Sequence, residues 1–229
     1  GMRLAEKFFT VSGENTSELG DDVLQLIDDT EPAVLLQLAL TLGAWEDARV
    51  PSTLTDIALQ HYDEPYIVAA VLSSVRPDHL EQVLKLAVED MNNGPPVEFV
   101  APLAGMAAAL GKQTLVAETI KRVATADGDE IAPWQLTALT RILDDIRRHA
   151  DQHLEFLQSE DADILQHALK VARATLQQGT APLDIRIGCI GLLGHSARVH
   201  QPDADALGAL LAPQIPVEMQ QAAVETLSQ

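Results

Sequence analysis

The sequence predicts an all-α fold of repeated helical hairpins, on three observations. A proline recurs at Pro32, Pro65, Pro96, Pro133, Pro182 and Pro216, each followed by an apolar run, with steps of 33, 31, 37, 49 and 34 residues. Self-similarity at such a period marks stacked supersecondary units. Apolar residues make up 47% of the chain but aromatic ones only 3%, and with Ala and Leu dominant this suits closely packed helices rather than sheets. Within the units the apolar positions recur at helical intervals. The 229 residues therefore read as a single array, 1–229, of about five to six hairpins sharing one continuous core.

The first two units superpose without a gap, residues 31–42 on residues 64–75 at a constant offset of 33. In each, proline takes the first turn of a helix, where its missing N–H costs nothing and its fixed φ already suits the helix. Acidic residues just ahead of it suit the positive end of the helix dipole. Val34, Leu35, Leu38 and Leu42 form one apolar stripe and Ile67, Val68, Val71, Leu72 and Val75 the next. Second helices follow, carrying Leu54, Ile57 and Ala58 in the first unit and Leu80, Val83, Leu84, Ala87 and Val88 in the second. Pro51, Pro77 and Pro202 are expected to open second helices by the same logic.

Later units follow the pattern more loosely. A helix over 97–110 is stopped by Gly111 and partnered by one over 114–123; another begins at Pro133 and runs to 143. The long step after Pro133 holds segments 149–158 and 162–176, an inserted or lengthened helix. A helix over 183–193 is stopped by Gly194 and partnered by 204–211, and 217–227 is a first helix with no second. At the other end, 2–9 reads as the tail of a second helix and 11–20 as a polar connection. Arrays of this kind end in capping units with polar outer faces, so the chain is expected to be a segment of a larger protein, with Gly1 a tag remnant.

Charge narrows the partners. Lys and Arg number 15 against 34 Asp and Glu, a net charge of −19. Such a chain repels phosphate backbones and anionic membranes, so nucleic acid is excluded and protein, or adjacent domains of the same chain, is the expected partner. No apolar run reaches the roughly 18 residues that a membrane span needs. The single cysteine, Cys189, lies in an apolar helical phrase and reads as a small buried hydrophobe. Trp45 and Trp134 are expected to pack between units.

No catalytic residue, cofactor or metal site is assigned. Asp145, His149 and His153 share one helical face at i, i+4 and i+8, the spacing of a metal site, but it is also that of a solvated face, and Arg147 and Arg148 oppose a cation there. His61, His195 and His200 lack a catalytic phrase around them. The candidate site is a surface instead: with the second helices on the concave side, Asp56, Gln60, Gln82, Lys85, Glu89, Glu118 and Arg122 form a partner-facing strip.

A hairpin of this length, with proline near its first helix and Gly or Asp at the turn, resembles the HEAT repeat, a right-handed α-α superhelix. The phrase Leu36 to Arg49, with Arg3-Leu4-Ala5-Glu6 before it and Ile185 to Gly194 after it, is similar to the HEAT segment of large membrane-bound dehydrogenase-type proteins of planctomycetes and verrucomicrobia. There such a segment joins an N-terminal β-propeller to a C-terminal haem-c domain. The resemblance implies a non-catalytic connector in an exported or periplasmic protein; a free-standing cytoplasmic adaptor that binds a protein or peptide on its concave face is the alternative. Neither propeller nor haem-attachment motif is present in this chain, so no haem-binding residue carries over.

Overall fold

The computed structural model describes residues 16–89, 96–125, 131–149, 162–197 and 200–228, and among them the chain is all-helical with no strand. The helices are α1 (Thr16–Leu24), a 3-10 turn (Gln25–Asp28), α2 (Pro32–Gly43), α3 (Val50–Gln60), α4 (Pro65–Ser74), α5 (Leu80–Ala87), α6 (Val97–Ala109), α7 (Gln113–Ala124), α8 (Pro133–His149), α9 (Ala162–Gln178), α10 (Leu183–Ala197), α11 (Gln201–Ala209) and α12 (Val217–Leu227). No described helix is long and apolar enough to cross a membrane.

Each of the six repeating prolines opens a helix. Pro32 and Pro65 are the first residues of α2 and α4, and Pro133 that of α8. Pro96 and Pro216 cap α6 and α12, and Pro182 directly precedes α10. The helices they open form one row: α2 packs on α4, α4 on α6, α6 on α8, α8 on α10, and α10 on α12. The second helices α3, α5, α7 and α9 contact one another in the same sequence. A single core runs between the rows, from Leu35, Leu38 and Leu54 through Phe99 and Leu139 to Ile190 and Leu193, all at 0–1% exposure.

The ends of the helices explain the turns. After α6, Gly111 takes φ 69°, its N–H bonds Ala108 O, and the N–H of Lys112 bonds Ala107 O at 2.9 Å. This double closure needs a left-handed residue, so glycine is the natural choice. At the start of α8 the buried Gln135 accepts from the N–H of Ala132 at 2.5 Å and donates to Val123 O at 2.7 Å, tying α7 to α8.

Four expectations are corrected. Pro51 and Pro202 lie in the first turns of α3 and α11, but Pro77 sits in the turn three residues ahead of α5, whose first bond runs from Leu80 N to Arg76 O. Residues 16–20 belong to α1, not to a loop; Gly20 is kept there by the Trp45 ring, 2.6 Å from where a Cβ would stand. Helix α8 continues past 143 to His149. Gly194 does not stop α10, which runs to Ala197; its missing side chain makes room for Thr226 of α12. The proposed remnant Gly1, the segment 2–9, His153 and most of the insertion at 149–158 lie outside the described residues.

Candidate functional site

All seven strip residues, Asp56 and Gln60 on α3, Gln82, Lys85 and Glu89 on or just after α5, and Glu118 and Arg122 on α7, are exposed. Helices α3 and α5 pack along their length, whereas α5 and α7 touch at few points. The gap between them is a groove of about 490 Å³. Val88, Leu115 and Thr119 are its buried lining residues, Lys85 lines it from α5 and Glu89 from just beyond it, and Glu118, Lys121 and Arg122 line it from α7 with Thr125 just beyond. Four strip residues thus meet around one opening; Asp56, Gln60 and Gln82 do not line it.

The polar side chains of the groove divide into holders and offerers. Arg122 donates through Nε to Val88 O at 2.7 Å and through Nη2 to Glu89 O at 3.4 Å, satisfying carbonyls that the end of α5 leaves without helical partners. Thr119 Oγ1 is spent on Leu115 O at 2.8 Å. Lys85 pairs with Glu81 at 2.8 Å across one helical turn, and that hydrogen bond raises its pKa, with the nearby Glu118 adding to it. Three of the chain's 15 cations line this groove beside two carboxylates. Outside it, the Asp56 carboxyl is raised by desolvation from the surrounding protein although the residue is exposed.

A second polar cluster, not foreseen from the sequence, lies at the C-terminal end of α10. Asp203 of α11, 1% exposed, takes Arg173 Nε at 2.5 Å and Nη2 at 2.7 Å, the hydroxyl of Ser196, and His200 Nδ1 at 3.1 Å. Burial pushes the Asp203 carboxyl up, and the Arg173 and Ser196 hydrogen bonds with the Arg173 and His200 charges outweigh it, leaving a net lowering. Serine, aspartate and histidine meet here, but in the wrong order for nucleophilic catalysis. The carboxylate stands between the other two, so the serine has no imidazole base. Beside it, His195 Nε2 lies 3.3 Å from Asp144 Oδ1 without the alignment of a hydrogen bond. Burial raises Asp144, but His195, Arg147 and Arg148 hold it below the usual carboxylate range.

The remaining candidates are placed as follows. His149 Nδ1 meets its own helix at Asp145 O, 2.8 Å away, and the Asp145 carboxylate pairs with Arg148 at 3.0 Å. Among the described residues no three His, Cys, Asp or Glu side chains converge as metal ligands. Cys189 is fully buried and burial pushes its thiol up to about 11. Trp45 is 4% exposed, with the Arg49 guanidinium 5.4 Å above its ring; Trp134 is partly buried against the core. Comparison with protein families, with characterised proteins and with solved structures returns no match.

Proposed function

We propose that this chain is a non-catalytic helical-repeat scaffold, a HEAT-like α-α superhelix, that receives a protein segment in the groove between α5 and α7. The observation that carries this reading is the groove among the described residues where α5 and α7 touch at few points, with apolar residues beneath and both signs of charge at the rim. Such a site suits an extended or helical segment with mixed charge, bound by a few buried side chains and oriented by polar ones. Within a longer polypeptide the same scaffold would act as a connector, the role implied by the resemblance to dehydrogenase-type proteins; reading frames continuing on both sides of the coding segment would support that role.

Peptides selected from a random library against the folded chain test the groove. Those that bind should protect α5 and α7 in hydrogen exchange and bind Glu118→Trp, which fills the groove, about tenfold or more weakly. Peptides that bind Glu118→Trp as well as the native chain would remove the groove from consideration.

A further inference from the structure

We propose that the turn between α3 and α4 is a second docking face, separate from the groove, for an arginine-bearing segment of a partner protein. The face is built on Tyr62 and Tyr66, the chain's two tyrosines, exposed at 56% and 77%. Tyr62 stands two residues beyond the end of α3, and Tyr66 is the second residue of α4. The repeat shows that packing does not call for them. At the offset of 33 that superposes the first two units, Tyr66 corresponds to Ala33 and Tyr62 to Asp29. Pro32 and Pro65 open the two helices alike, and behind them Leu35 and Val68, and Leu38 and Val71, are buried at matching positions. A helix start of this kind therefore forms with alanine in the place of Tyr66, and exposed tyrosines are enriched where proteins meet.

Another part of the molecule shows what such rings receive. The Arg49 guanidinium lies 5.4 Å from the centre of the Trp45 ring and is held by Asp47 at 2.8 Å and by Asp21 at 2.5 Å. An aromatic face and two carboxylates thus share one guanidinium. At the turn between α3 and α4 the carboxylates are Asp63 and Glu64, both exposed and placed in the chain between the two tyrosines. No described cation pairs with either. These are the kinds of group that hold Arg49, and a guanidinium brought by a partner fits them. Arginine answers rings and carboxylates together, whereas a lysine ammonium answers chiefly the charge. A second copy of this chain would bring a net charge of −19 to the contact, so self-association through this face is opposed.

The probe is a fluorescent peptide of alternating arginine and serine, beside one with lysine in place of arginine. Both are drawn to a chain of net charge −19, so the difference between them reads the rings. The arginine peptide should bind the native chain about fivefold more tightly than the lysine peptide, and Tyr62→Ala with Tyr66→Ala should remove that difference. Tyr62→Leu with Tyr66→Leu, which keeps the bulk and removes the rings, should do the same and serves if the alanine variant does not fold. Asp63→Asn with Glu64→Gln should weaken both peptides and flatten their dependence on salt. Any of three results overturns the proposal: no binding of the arginine peptide, equal binding of the two peptides, or an arginine preference that the tyrosine variants retain, which would place the contact elsewhere on the acidic surface. A concentration-dependent dimer in sedimentation that the tyrosine variants abolish would assign the face to a second copy instead.

Discussion

At the scale of single residues, the costliest polar contact is the one between Arg173 and Asp203. Asp203 is 1% exposed and Arg173 partly covered, so each removes the other's desolvation penalty and neither is tolerable alone. Arg173→Ala strands a buried carboxylate and should cost about 3 kcal/mol at neutral pH, read by denaturant unfolding. The Asp203 pKa is lowered in the fold from its ordinary 3.8. A lowered carboxyl contributes stability that is complete above its unfolded value and lost as the pH falls through the folded one. The gap in melting temperature between the native chain and Asp203→Asn should therefore be present at about pH 5 and shrink below about pH 4. A gap that persists at the lowest pH would mean the pair acts through shape rather than charge.

At the scale of elements, glycines set how closely helices approach. Along α10 Gly188 and Gly191 face Thr137 and Thr140 of α8, and Gly194 faces Thr226 of α12. Thr140 is further held by hydrogen bonds from its Oγ1 to Leu136 O at 2.9 Å and Gly188 O at 3.0 Å, so it cannot yield. A Cβ at position 191 would stand 2.5 Å from Thr140 Cγ2. Gly191→Ala should thus destabilise by about 1–3 kcal/mol through overpacking. Gly208 of α11 has nothing within 4 Å of its would-be Cβ, and Gly208→Ala should stabilise by about 0.5–1 kcal/mol through the lost backbone entropy of glycine. Thermal melts of the two variants shifting in the same direction would refute this division.

At the scale of the whole molecule, the described helices pack chiefly on helices near them in the chain, while a net charge of −19 acts on all of them together. The described ion pairs are mostly short-range and exposed, such as Arg76 with Asp78 at 2.7 Å and Lys85 with Glu81 at 2.8 Å, and contribute little each. Self-repulsion outweighs them, so added salt should raise the melting temperature by screening it. A melting temperature that falls between low and physiological salt would show that the ion pairs matter more than the net charge.

The sequence by itself determined the helices and their order. Proline at a helix start and glycine after its end are local constraints on φ and on backbone donors, so Pro32, Pro65, Pro96, Pro133, Pro182, Pro216 and Gly111 were readable where they stand. So was the apolar face of each unit, because burial follows the helical period. Tertiary structure decided what the same residue types do when their constraint is a neighbour distant in sequence. Gly194 resembles a helix stop and is a contact; residues 16–20 resemble a loop and form a helix whose Gly20 fits under Trp45. Of the strip, Lys85, Glu89, Glu118 and Arg122 were legible as exposed positions on second helices, but the groove they line exists because α5 and α7 touch at few points. Asp203 and Arg173, 30 residues apart, carry no shared signal along the chain, since only the packing of α9 against its neighbours brings a guanidinium and a carboxylate into one buried place.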